Sequence, residues 1–444
     1  MKPKKIIKDV VILGAGITGL SAGYVSGLPI YEARSVAGGI CTSYYMSKNK
    51  KGRSYVMPKD EEAYHFETGG GHWIFGGDPV IKKFINTLSP HKIYTRISSV
   101  YLPKQKLLVP YPIQNNLAFL DKKTRDKALK EILSGNKAIK NKKIITMSDW
   151  LTKNFGNTLC DLFFNPFHEM YTARLWEKIT PQDGYKSPIN KEDVIDGHSK
   201  KARDVGYNAT FLYPEKGLDH LSSRLAKKCD IHYNKKVKKI DLKNKIIYFA
   251  DKSSVVYKEI ISTLPLNHMM KMTGITTKLE AFPSPSVLVV NIGAKKGRLH
   301  PKDQWVYIPK SKAGFHRVGF YDNVDPMFLP KSSREKQDCT SIYVEKAYAE
   351  GEKPTAEEID KICKDIIGEL QSWEWIGEME VYDPTWIDVA YTWSWPKSNW
   401  KETALKELEK NSIYQIGRYG RWIFQGIADS IKDGLMIGAA FSKK

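Results

Sequence analysis

The sequence predicts an α/β fold: a parallel sheet that begins near the N-terminus, interrupted by inserted helical and antiparallel-sheet segments. Three observations predict it. Residues 9–13 (DVVIL) form a continuous apolar run, as buried parallel strands do. A glycine-rich turn and a helix start follow at once. Four later runs, 287–292, 304–308, 316–321 and 340–345, alternate apolar and polar residues, the period of an antiparallel sheet.

The turn reads Gly14-Ala15-Gly16-Ile17-Thr18-Gly19, a G-x-G-x-x-G pattern. Gly14 permits a tight turn, Gly16 lets the backbone approach a pyrophosphate, and Gly19 lets helix and strand pack closely. Thr18, inside the turn, belongs with them as a cofactor-binding candidate. The helix opening at Leu20 would face the phosphates with free N–H groups and its dipole. A second short run, 28–31, ends at Glu32, where an acid accepts hydrogen bonds from a ribose hydroxyl. The short spacing from Gly19 to Glu32 predicts a short first helix. Together these features make a Rossmann-type dinucleotide site.

Further along, residues 43–62 are polar and predict an irregular excursion or hairpin. Residues 64–75 read YHFETGGGHWIF. A Lys-rich helix is expected over 117–139 and another over 148–169, with Ser148 as N-cap. Residues 211–217 precede a helix over 218–228, and 231–240 (IHYNKKVKKI) read as a strand. Residues 260–265 form a strand and crossover, and 355–373 a helix. Residues 413–418 read as a strand, with a final helix from about Ala428.

At 444 residues the chain is too long for one simple core, so two or three subdomains are expected. Hydrophobic residues make up 41%, enough to bury a core. No apolar stretch is long enough to span a bilayer, and the basic start runs into a strand pattern rather than a signal peptide. The expectation is a soluble, cytoplasmic protein without an integral membrane segment. Five scattered cysteines without a CxxC pair argue for reduced thiols and against a metal site. The net charge of +21 comes from lysines spread along the chain. It reads as a solvated basic surface, or as attraction to an anionic partner; no nucleic-acid motif accompanies it.

Residues 32–39 (EARSVAGG) resemble the signature of the flavoprotein class that includes amine oxidases, protoporphyrinogen oxidase, phytoene desaturase and UDP-galactopyranose mutase. The resemblance implies FAD as cofactor, held by Gly14, Gly16, Thr18, Gly19, Glu32 and Ala33. It brings Gly38 and Gly39 close to the flavin side, the backbone near Val237 to the adenine, and Gly417 and Arg418 back to the flavin. It also implies a discontinuous FAD-binding domain, 1–75, 206–265 and 406–444. A helical cap over 76–205 and an antiparallel-sheet substrate domain over 266–405 interrupt it.

Four segments are similar, more narrowly, to the eukaryotic-type UDP-galactopyranose mutases. Residues 70–75 (GGHWIF) resemble a loop whose histidine, His72 here, lies by the flavin; Gly69 is an extra glycine before it. Residues 167–176 (FHEMYTARLW) resemble a helix end lining the active site, with Arg174 at the basic position. Residues 305–309 (WVYIP) and 315–323 (FHRVGFYDN) resemble an element whose tyrosine, Tyr307, contacts substrate and whose arginine, Arg317, grips its diphosphate. Residues 417–424 (GRYGRWIF) resemble the turn that puts Arg418 beside the cofactor. Three positions depart from that pattern: Phe424 and Trp395 stand for tyrosines, and Ala428 for an asparagine.

This resemblance implies an FAD-dependent pyranose–furanose mutase acting on a nucleotide-diphosphate sugar for cell-surface polysaccharide. Reaction would pass through a flavin N5–sugar adduct, with NAD(P)H as a candidate reductant. His72, Arg174, Tyr307, Arg317 and Arg418 are its catalytic candidates. The alternative is an FAD-dependent oxidoreductase of an amine, a sugar or a polyene, in which residues 393–395 and Trp400 would line an apolar tunnel; simple core packing is the commoner role of such an aromatic stretch. A flavoprotein scaffold without activity is the third reading.

Overall fold

The computed structural model describes residues 6–50, 52–134, 144–181, 189–199 and 209–442. The apolar run at the N-terminus becomes the strand Ile6–Leu13, in which Val11, Ile12 and Leu13 are fully buried. It lies mid-sheet, pairing in parallel with Ile30–Tyr31 on one side and Ser254–Ser262 on the other. Ile231–His232 extends the sheet beyond Ile30–Tyr31, and Ile413–Gln415 pairs in parallel with Ser254–Ser262. Three distant parts of the chain thus share one sheet. Burial on both faces at 11–13, 30–31 and 260–262 explains why these segments lack polar alternation.

The first helix, Ile17–Ser26, is short as expected and ends at Gly27 in the left-handed region. The C-terminal helix Ile427–Ala440 lies directly across it. A Cβ at Gly434 would stand 2.3 Å from the Thr18 carbonyl oxygen, and one at Gly438 2.4 Å from that of Ala22. Only bare backbone allows so close an approach.

The second large sheet has seven strands in the order Ile376–Ile387, Ser286–Lys296, Cys339–Tyr348, Arg317–Phe320, Trp305–Tyr307, Ser98–Leu102, Leu107–Pro110. All neighbours are antiparallel except Trp305–Tyr307 against Ser98–Leu102. The helix Ala356–Ser372 covers one face, burying Cys363, Ile366, Ile367 and Leu370 against Val290, Ile292, Val318 and Val344. From the other face Val287, Val289 and Tyr343 pack with Tyr64, Phe66 and Tyr321. A third core joins the helices Lys122–Ser134 and Met147–Leu159 to the aromatic run Phe163, Phe164 and Phe167.

Several expectations are corrected. The helix around 148–169 is capped by Thr146, not Ser148: Thr146 and Asp149 form a reciprocal capping box. It is also broken, at Gly156 with φ +73 and by a π-helical turn Cys160–Phe164 before Asn165–Tyr171. Residues 231–240 are two strands, not one. The chain turns at Asn234 (φ +58), and Val237–Asp241 pairs with Ile246–Phe249 instead. Residues 76–205 are not simply a helical cap. His91–Thr95 pairs with Thr210–Pro214, and Ser98–Leu102 with Leu107–Pro110 extends the large sheet. Their sequences do not exclude strands, and the partners Thr210–Pro214 and Trp305–Tyr307, distant in the chain, make them so. The expected helix over 117–139 is Lys122–Ser134 where described; 135–139 lie outside the described residues.

Among the described residues no helix is long and apolar enough to cross a membrane. Nor, among them, do three His, Cys, Asp or Glu side chains gather as a metal site.

Candidate active site

The glycine turn is built as its spacing demands. Gly14 has φ +93, and its amide donates to the Tyr31 carbonyl at 2.9 Å. A Cβ at Gly19 would lie 2.0 Å from the Gly14 carbonyl oxygen. At Gly16 the opposite holds: a Cβ there meets nothing within 4 Å. Gly16 is the N-cap and offers no side-chain cap, which leaves amides of the first turn of Ile17–Ser26 for another partner. A bare cradle with free N–H groups and a positive helix end is suited to a pyrophosphate.

Two other segments close round the cradle. The Gly38 amide donates to the Ala15 carbonyl at 2.8 Å, and a Cβ at Gly39 would come within 3.3 Å of the Gly16 Cα. Gly417, with φ +72, abuts Thr18: a Cβ there would meet the Thr18 hydroxyl at 2.7 Å. The Gly417 amide donates to Asp433 at 2.8 Å.

Glu32 is buried at the end of its strand. One carboxylate oxygen accepts the Ala15 amide at 2.7 Å and the other the Arg34 amide at 2.8 Å. Each oxygen keeps acceptor capacity for a ligand hydroxyl. Ala33 follows on the exposed side of the turn. Val237 pairs with Phe249, whose ring stacks on Tyr31 at 5.0 Å, and His232 stacks on Tyr31 at 4.8 Å.

Across the molecule a second cluster forms around Glu345, a residue outside the sequence-derived candidates. Arg317 and Glu345 are direct partners across adjacent strands, and the Arg317 Nη2 donates to the Glu345 Oε1. Tyr391 donates its hydroxyl to the other oxygen at 3.1 Å, and the His316 Nε2 lies 3.5 Å away. Burial works against both charges, but the Arg317 guanidinium holds Glu345 down to about 2, and Glu345 keeps Arg317 protonated. Burial lowers His316 and keeps it neutral. The Arg317 Nε is buried without a protein partner, although a quarter of the side chain is exposed.

Tyr307, paired in register with Arg317, lies between Tyr111 at 4.7 Å and Phe167 at 5.4 Å. Tyr171 packs on His316, Tyr391 and Trp393 at 4.6–5.5 Å. His72 bonds through Nδ1 to the Gly70 carbonyl at 3.1 Å. A carbonyl only accepts, so Nδ1 carries the proton. Burial pushes the imidazole down to about 4, so it is neutral at pH 7. Gly70 lies against Glu345: a Cβ there would be 3.1 Å from its Oε1. Arg418 comes from the C-terminal turn, its guanidinium 4.8 Å from the Phe424 ring centre and bonded to the Gln425 carbonyl at 3.3 Å. Its Nε is also buried and unpartnered. The charges of Arg317 and Arg418 both reach His72 and Tyr171, so the two cations bear on one place.

Arg174 is not brought there. It sits on a turn with φ +69, its side chain 71% exposed and 3.5 Å from Glu352. A left-handed turn after the helix Asn165–Tyr171 carries it outward, which a linear motif does not reveal. The departures are also placed. Trp395 donates to the Ala281 carbonyl at 3.0 Å, Ala428 packs where a Cβ at Gly77 would meet it at 2.7 Å, and Phe424 lies under Arg418. Trp400 is core, packed on Phe282 and Trp422. Glu345, Tyr343 and Tyr391 escaped the sequence reading. The available signal is an acid closing the alternating run 340–345, two positions from Tyr343 on the same strand face.

The family model for flavin containing amine oxidoreductase matches residues 20–370. Among solved structures, a reduced UDP-galactopyranose mutase is similar with a TM-score of 0.80 at 21% identity, over 97% of this chain and 94% of that one. A Methanosarcina mazei oxidoreductase gives 0.56 at 15% identity, over 97% and 99%. A putrescine oxidase bound to putrescine gives 0.58 at 14%, over 98% and 99%. These likenesses match the two-sheet fold, and the family's cofactor matches the glycine cradle. The chain belongs to the flavin containing amine oxidoreductase family, and its cofactor is FAD.

Proposed function

We propose that the chain is a flavin-dependent pyranose–furanose mutase acting on a nucleotide-diphosphate sugar. The observation that carries this reading is the pair of guanidinium groups, Arg317 and Arg418, each with a buried, unpartnered Nε, bearing on one aromatic-walled site. Beside them stands the carboxylate of Glu345, while His72 and His316 are neutral. The balance is cationic. It attracts a diphosphate and repels an ammonium group.

When bound and reduced, FAD supplies an electron-rich centre for the sugar's anomeric carbon. The chain's own residues hold and orient. Arg317 and Arg418 each offer an N–H to the leaving anion, and Tyr307 offers a hydroxyl from the neighbouring strand. His72, with its proton on Nδ1, presents Nε2 as an acceptor. Tyr171, Phe167 and Tyr391 exclude water. Cytoplasmic synthesis of cell-surface polysaccharide is the setting this reading implies. NAD(P)H as reductant gains no support from the fold or the comparisons.

The second reading is an oxidoreductase of a small substrate. The aromatic wall favours it, as do the oxidoreductase and putrescine oxidase structures of similar fold. The experiment is to incubate protein reduced with dithionite with a panel of nucleotide sugars. Isomers of equal mass support the mutase. Stoichiometric oxygen uptake with amines, and no isomer, would replace it with the oxidoreductase.

A further inference from the structure

We infer that Glu345 is a positioning residue: its buried carboxylate fixes the Arg317 guanidinium so that the Nε–H stays free for an anionic group of the ligand. The ligand half of this inference rests on the mutase reading; the Glu345–Arg317 half does not.

Four features carry it. Glu345 and Arg317 face each other in register on adjacent antiparallel strands, where side chains on one face lie closest. The Glu345 side chain is 3% exposed, and Arg317 is its charged partner, with His316 neutral beside it. Its second oxygen is held by the Tyr391 hydroxyl at 3.1 Å, so the carboxylate has little freedom to rotate. The hydrogen bond to Arg317 uses Nη2 and leaves Nε without a partner. A planar guanidinium held at one corner presents its remaining donors in a fixed direction. Gly70 completes the seat: any Cβ there would crowd the Glu345 Oε1 at 3.1 Å.

A carboxylate beside a ligand-binding cation has two opposed consequences. As a mere counter-charge it weakens anion binding, and its removal strengthens it. As a positioning group it preorganises the cation, and its removal weakens binding. The sign of one substitution separates them.

The test uses flavin-loaded protein, with UDP as the probe and flavin fluorescence as the readout. Glu345→Gln is expected to weaken UDP binding roughly tenfold, the scale of losing a hydrogen bond between charged groups. Glu345→Asp should retain more of the affinity than Glu345→Gln. In an Arg317→Ala background Glu345→Gln should cost nothing further. Tighter UDP binding by Glu345→Gln, or full additivity with Arg317→Ala, overturns the inference. A second measurement does not depend on the ligand: phenylglyoxal labelling of Arg317, followed by peptide mass. Labelling should be several-fold faster in both Glu345→Gln and Glu345→Asp, because the shorter acid reaches the guanidinium poorly. An unchanged rate overturns the positioning role. If the parent protein binds no UDP but labelling accelerates, the mutase reading falls and the positioning of Arg317 stands.

Discussion

Replacing Gly16 by valine should separate flavin binding from folding. A Cβ at Gly16 meets nothing within 4 Å, and φ −68 with ψ 174 is accessible to any residue. As an N-cap, valine is poorer than glycine by about 0.5–1 kcal/mol. Restricting the unfolded chain returns about 0.4–1 kcal/mol. FAD-free protein should therefore keep its stability within about 1 kcal/mol. The open space is where the pyrophosphate must meet the helix amides. Losing two charge-assisted hydrogen bonds, each about 1.5–3 kcal/mol, lowers affinity at least about a hundredfold. Gly19→Ala is the contrasting control, because its Cβ would stand 2.0 Å from a backbone oxygen. It should cost about 1–3 kcal/mol of folding stability as well as flavin. The assay is flavin absorbance per protein, with denaturant unfolding of stripped samples. A Gly16→Val protein that purifies fully yellow would refute this account of the cradle. So would one whose apo form is as unstable as Gly19→Ala.

Arg317→Ala should weaken nucleoside diphosphate binding by about 2–4 kcal/mol, and should also lower the melting temperature by leaving Glu345 buried and unpaired; an unchanged titration would remove Arg317 from the site. Glu67 is fully buried, and burial raises its carboxyl from 4.5 to about 7. The folded state thus binds a proton that the unfolded state releases, so this group's contribution to stability falls as pH rises from about 4.5 through about 7. Glu67→Gln should flatten that part of the profile in denaturant titrations at pH 5 and pH 8; an identical pH dependence in both proteins would contradict the assignment. Gly434→Ala should lower both melting temperature and flavin content, since its Cβ would press within 2.3 Å of the Thr18 carbonyl in the cofactor turn. Loss of neither would show that the two helices can separate freely.

The sequence by itself determined what rests on near neighbours in the chain. A buried strand, a turn of three glycines and a helix start lie within fourteen residues, and the tightest constraint among them, Gly19 against the Gly14 carbonyl, acts between residues five apart. The helix expected over 355–373 is Ala356–Ser372 for the same reason, its Thr355–Glu358 capping box lying within four residues. Tertiary structure alone decided what depends on distant partners. Glu345 gains its role from Arg317, 28 residues away, and from Tyr391, 46 residues away. Arg174, though its motif looked suitable, is carried outward by one left-handed turn. Residues 98–110 became strands because an exposed sheet edge, formed by Trp305–Tyr307, was there to pair with. Local sterics are written in consecutive residues; the pairing of buried charges and sheet edges is written only once the chain has folded back on itself.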